Sequence, residues 1–130
     1  MKMRADRIEG QNAIARHGRD GVLVNGLEHT ESVIVPWRGD VVAWPVASFE
    51  QLGADDFARI AALKPELVVF GSGARLRFPA PALLRPLIDA GIGVETMDTA
   101  AACRTYNVLL AEGRSVVAAL LFDTDTHAAG

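Results

Sequence analysis

The densest collection of chemically versatile side chains in this sequence lies in a single run, where Asp98, Thr99, Cys103, Arg104 and Asn107 follow one another at close spacing. A thiol near a helix N-terminus becomes a nucleophile or redox centre when the positive potential there lowers its pKa. A guanidinium on the outer side of such a helix can take an anion, a substrate carboxylate or an acidic protein surface. Asp and Thr at a helix start supply oxygens to backbone donors that have no partner in the first turn. A second candidate lies upstream. Gly71-Ser72-Gly73 follows an apolar run and precedes a helical one, a place where backbone N–H groups can cradle a phosphate or carboxylate. It lacks the further Gly or Lys offsets of a dinucleotide fingerprint or a P-loop.

Each candidate also has a plainer reading. At 100° per residue, Ala102, Cys103, Tyr106, Leu109 and Leu110 share one side of the helix and form its core stripe, so Cys103 reads as a buried thiol before it reads as a reactive one. No His lies close to it in sequence; a contact would have to come from His17 or His29 through the fold. Arg104 and Glu112 point away from that stripe, with Asn107 on a flank. Arg104 binds an anion or partner, or else pairs with Glu95, Asp98 or Glu112. Asn107 fixes the chain at the Gly71 bend or touches a ligand. Glu112 and Arg114 read as a helix-end charge pair, and Trp37 and Trp44 as either partner anchors or caps of a β layer. The glycines themselves suit a tight turn leaving a buried strand.

The elements that must position these groups are legible from period and punctuation. Residues 21–26 form a strand closed by Asn25-Gly26, a pair that favours a tight hairpin turn. Residues 32–37 and 41–46 are two more strand candidates, too closely spaced for helical crossovers and therefore expected to pair antiparallel. The period changes near residue 55: Phe57, Ile60 and Ala61 recur at helical spacing, and the helix stops before Lys64-Pro65. Leu67–Phe70 is apolar on both faces, as a strand covered on two sides requires. Pro79 and Pro81 open a helix with Leu83, Leu84, Leu87 and Ile88 on one face, ended at Gly91. A strand over 92–97, the helix from Asp98 or Thr99 to Glu112, and a strand over 115–122 complete the order. Alternating helices and strands predict an α/β domain, with a mixed, mainly parallel sheet, covering helices and an N-terminal antiparallel β-hairpin layer. Residues 1–122 read as that single domain and 123–130, including His127, as a flexible, solvated tail. If the bend at Gly71 and the start of the last helix leave neighbouring parallel strands, both sit on the edge where open α/β sheets place ligands.

Composition removes several classes. The chain has 130 residues, is 50% hydrophobic and 22% charged, and carries one Cys, which precludes an internal disulfide framework and a Cys-based zinc site. Neither a metal nor a cofactor is expected. Net charge is −3 with no clustered basic tract, so nucleic acid is not an expected partner. Residues 1–7 precede no long apolar stretch, Asp6 and Glu9 speak against a transit peptide, and no run is long enough to span a bilayer. Together with the lone Cys, these features predict a cytoplasmic protein.

The run Gly93-Val94-Glu95-Thr96-Met97-Asp98-Thr99, followed by Ala102-Cys103-Arg104-Thr105-Tyr106-Asn107 through Glu112-Gly113-Arg114, resembles the signature of domain-of-unknown-function family 498, with Gly71-Ser72-Gly73 as its upstream strand end. The likeness extends more loosely through Trp44 and Leu67–Phe70. It implies a compact α/β domain and, from eukaryotic members that assist assembly of mitochondrial complex I, a non-enzymatic accessory protein acting through protein–protein contact. The alternative is a small-molecule enzyme or binding protein with an anionic ligand held near Gly71, Ser72, Gly73, Asp98, Thr99, Arg104 and Asn107. A redox protein using Cys103 is the third reading.

Overall fold

A computed structural model describes residues 10–122. Residues 1–9 and the tail expected over 123–130 lie outside the described residues. Among the described residues, eight strands and three α-helices follow in order: β1 (Ile14–Gly18), β2 (Gly21–Val24), β3 (Leu27–His29), β4 (Val33–Pro36), β5 (Val42–Ala43), α1 (Ala54–Ala61), β6 (Leu67–Gly71), α2 (Arg85–Asp89), β7 (Gly93–Met97), α3 (Thr99–Ala111) and β8 (Val116–Leu120). They build one α/β domain from two sheets. The larger has the order β5-β4-β8-β6-β7 and is mixed: β6 pairs parallel with β7 and β8, whereas β4 pairs antiparallel with β5 and β8. The smaller is the antiparallel meander β1-β2-β3.

The Asn25-Gly26 turn forms as its residue types dictate, with φ of 54° and 80°, and it joins β2 to β3. The candidate strands over 32–37 and 41–46 go elsewhere. They supply β4 and β5 of the large sheet, so the hairpin layer is made instead from 14–29, including a β1 that the apolar pattern did not reveal. β4 belongs in the centre because Val33 and Val35 bury on one face while Ile34 buries on the other.

Period-2 alternation divides the core. Val116, Ala118 and Leu120 of β8 and Leu67 and Val69 of β6 face α3 and the small sheet. Val117 and Ala119, with Val68 and Phe70, face α1, α2 and Trp44. Both faces of these central strands are therefore dry, which is why they read as unbroken apolar runs. Trp44, Phe57 and Phe70 meet edge-to-face, with centroids 5.6–6.1 Å apart. Trp44 is thus a core residue, not an exposed anchor; Trp37 is partly buried.

The helix expected after Pro79 is shorter than its pattern. Residues Pro81–Leu84 form a 3₁₀ turn before α2, and only Leu87 is fully buried, leaving Ile88 exposed. Arg114 pairs with Glu66 at 2.6 Å, tying the end of α3 to the start of β6 in place of the expected pair with Glu112.

Candidate functional site

α3 begins where three parallel strand ends meet. Asp98 caps it, its Oδ1 accepting from Ala101 N at 2.9 Å. Thr99 N donates to Gly73 O at 2.9 Å, and Gly73 N donates back to Thr99 Oγ1 at 2.8 Å. The Thr99 hydroxyl donates in turn to Leu121 O, also at 2.8 Å. The glycine bend and the polar start of α3 therefore share one rim, at the carboxyl ends of β6, β7 and β8. Gly71 is required there by close approach: a Cβ on it would stand 2.9 Å from Thr99 Cα and 3.2 Å from the Ala102 Cβ.

The same bonds decide what the rim can bind. Ser72 N is committed to Met97 O, and Ser72 Oγ donates to Arg75 O at 2.7 Å while accepting from Arg77 N at 3.0 Å. Gly73 N is committed to Thr99. The N–H groups of Ser72 and Gly73 that would cradle a phosphate are thus spent within the chain, and a carboxylate already sits at the N-terminus of α3.

Beyond the rim, the sequence candidates separate. Asn107 holds β1: its Oδ1 accepts from Ile14 N at 3.0 Å and its Nδ2 donates to Ile14 O at 2.8 Å, away from the Gly71 bend. Tyr106 is fully buried and directs its hydroxyl toward Asn12 O at 2.7 Å and Pro36 O at 3.0 Å. Burial raises its phenol above the ordinary tyrosine range. Cys103 is also buried; loss of solvent pushes its thiol up to about 12, against a smaller opposing pull from the Arg104 charge. Little thiolate exists at neutral pH, and nucleophilic work is disfavoured. Arg104 is exposed on the outer side of α3, with Val108 one turn on.

Sequence reasoning missed two sets of residues. Asn12 is 4% exposed and binds three segments together: Nδ2 donates to Pro36 O and Gly39 O, and Oδ1 accepts from Asn25 Nδ2. Its partners lie up to 94 positions away, so no local signal marks it. A cavity of about 480 Å³ opens at the rim, lined by His17, Arg19, Gly73, Asp98, Thr99 and Phe122 among others. The end of β1 and the β1–β2 turn bring His17 and Arg19 there. Gly71, Ser72, Arg104 and Asn107 do not line it. The described residues hold no cluster of three or more His, Cys, Asp or Glu able to bind a metal ion.

Comparison with known proteins sets this geometry in context. Residues 14–121 match the family model "Protein of unknown function (DUF498/DUF598)". NADH dehydrogenase [ubiquinone] 1 alpha subcomplex assembly factor 3 of Xenopus tropicalis is 30% identical over 121 residues, covering 88% of this chain and 66% of that protein. The Bos taurus protein of the same name is 41% identical over 83 residues, covering 62% of this chain and 45% of its own length. The chain thus aligns with less than half of the bovine relative. A crystal structure from Bordetella parapertussis superposes with a TM-score of 0.83 at 38% identity, covering 88% of this chain and 98% of that one. A solution structure from Bordetella pertussis, described as an Mth938-like domain, gives 0.82 at 32% identity over 98% of both chains.

Proposed function

The chain belongs to the DUF498/DUF598 family, and from that premise we propose that it is an accessory protein in the assembly of a respiratory NADH dehydrogenase, working by protein–protein contact and without catalysis. The observation that carries this reading is the similarity, across most of the chain, to proteins named as assembly factors of that enzyme. The surface supports it. Between Gly71 and α2, polarity is inverted: Arg77 is turned inward, its guanidinium 4.6 Å over the Phe49 ring and paired with Glu50, while Leu76 and Phe78 stand 51% and 69% exposed. A pinned loop that presents a phenylalanine to water beside an exposed leucine offers an apolar surface of the kind partners cover. Arg104 and Val108 offer a second exposed patch on α3. No described helix is long and apolar enough to cross a membrane, and the lone buried thiol fits the cytoplasm as the place of action.

The test is made in the organism that encodes the chain. A strain lacking it is expected to accumulate less assembled NADH dehydrogenase on native gels, and tagged protein is expected to recover subunits of that enzyme. Phe78→Ala and Arg104→Ala are expected to weaken the recovery while leaving thermal stability within about 0.5 kcal/mol of the parent. Normal enzyme levels in the deletion strain, with no subunit recovered, would overturn the reading. Unchanged recovery with Arg104→Ala would remove Arg104 alone from the contact.

The cavity favours a second reading, a small-molecule site with an anionic ligand at the rim near Gly73, Asp98 and Thr99. Its volume falls in the range typical of ligand pockets, roughly 300–1,000 Å³. A thermal-shift screen of carboxylates, phosphates, nucleotides and amines tests it; no shift from any class would remove it.

A further inference from the structure

We propose that the rim cavity takes a small monocarboxylate on an apolar stem, with Arg19 of the β1–β2 turn, and not the glycine bend, holding the charge. The inference rests on the second reading above and names its ligand. Three features of the wall lead to it.

The first is the accounting of donors. Ser72 N and Gly73 N are bound to Met97 O and Thr99 Oγ1, and Ala101 N is bound to the Asp98 carboxylate. An anion entering here finds its cation in Arg19 of the β1–β2 turn, which lines the same cavity beside His17 of β1. Arg19 is exposed and makes no ion pair with another described residue, so its five guanidinium donors are open to a carboxylate.

The second is charge selection. Asp98 stands in the same wall and repels whatever negative charge Arg19 attracts. A phosphate dianion meets that repulsion twice over, a monocarboxylate once. A single charge carried at one end of the ligand can sit at the Arg19 side and keep its distance from Asp98.

The third is the remaining surface. Leu121 and Phe122 contribute apolar groups, as does Ala100. The hydroxyl of Thr99 is already committed to Gly73 and Leu121, and Phe122 N donates to Ser32 Oγ, so these two groups add no free hydrogen bonding to the wall. Such a surface rewards carbon, at about 0.8 kcal/mol or roughly fourfold in affinity per methylene buried.

The experiment is an NMR titration of the ¹⁵N-labelled full chain with acetate, butyrate, hexanoate, inorganic phosphate and hexylamine. The expected result is hexanoate-induced shifts at Gly18, Gly73, Ala100 and Phe122, with affinity rising from acetate to hexanoate and no matching response to phosphate. Arg19→Gln is expected to weaken hexanoate roughly tenfold, the loss of one charge-assisted hydrogen bond, without altering the rest of the spectrum. Asp98→Asn keeps the helix cap and is expected to admit phosphate. Absence of hexanoate shifts at these residues up to about 10 mM would overturn the proposal, as would equal affinity in Arg19→Gln. Hexylamine shifting the same residues while hexanoate does not would also overturn it, yet leave the cavity standing as a ligand site. Silence from every probe, joined to a blank thermal-shift screen, would remove both.

Discussion

Two polar clusters sit on α3, one at its middle and one at its start, and they are built on opposite terms. At the middle, Tyr106, Asn107 and Asn12 stitch α3 to β1, to the end of β4 and to the Gly39 turn, and their polar groups are turned to the chain itself. At the start, the backbone donors of Gly73, Thr99 and Ala101 are equally spent, but the side chains of Arg19 and Asp98 border an open cavity. The signature that runs along this helix is therefore two things at once. From Ala102 to Asn107 it is largely an architectural lock, and its Asp98-Thr99 end borders the open cavity.

The comparison breaks first where removal leaves several groups stranded. Asn12→Ala deprives Gly39 O of its Asn12 donor, leaves Pro36 O with the Tyr106 hydroxyl alone of its two side-chain donors, and takes the Asn12 acceptor from Asn25 Nδ2. A loss of about 3 kcal/mol in urea unfolding is expected, since buried groups left without partners cost roughly 1–3 kcal/mol each and not all are fully dry. A change below about 0.5 kcal/mol would mean that the middle cluster is not a lock.

Gly71→Ala is expected to cost about 1–3 kcal/mol, because its Cβ collides with the backbone of Thr99 and neither β6 nor α3 can shift without breaking the Gly73–Thr99 pair. The same variant is expected to distort the cavity rim. If its crystal structure shows an undisturbed rim, the close approach is not what holds the two loops together.

The smallest effect concerns Cys103. Its thiol is neutral in the fold well above the ordinary cysteine range, so native protein holds more protons than unfolded chain between pH 9 and about 12. Stability from this group is complete below pH 9.0 and declines as pH rises through that window. Tyr106, raised in the same direction, adds to the alkaline loss. Cys103→Ala is expected to flatten the decline above pH 9.0 without abolishing it. Labelling by iodoacetamide at neutral pH is expected only as fast as the domain opens, and rapid modification of native protein would restore the thiol as a site.

What could be read in advance follows from the range of the interactions. α3, its Asp98 cap and its core stripe are encoded within a few residues, and the meeting of the glycine bend with the helix start follows from parallel neighbours. The doubly covered β6 is equally local. The sheet to which 32–37 belongs was not legible, because an apolar strand fits any neighbour until its long-range partner, β8, is known. β1 escaped notice because Arg16 and His17 interrupt its apolar face, and Ile14 is its sole buried residue. Asn12 and Arg19 escaped because each acts on groups supplied from far along the chain. The Arg114–Glu66 pair shows the same thing: a nearby Glu112 was the obvious mate, and the start of β6, adjacent in the sheet but 48 positions away in sequence, took its place.

The position of β8 has a consequence for synthesis. It is the last strand described to leave the ribosome, yet it lies at the centre of the large sheet, bridging β4 on one side and β6 on the other. Until Val116–Leu120 has emerged, β4-β5 and β6-β7 are two fragments with no shared ladder, each exposing the apolar edge meant for the missing strand. The nascent chain therefore closes its hydrophobic interior in one late event, and a stall before that point would leave aggregation-prone edges for chaperones to cover.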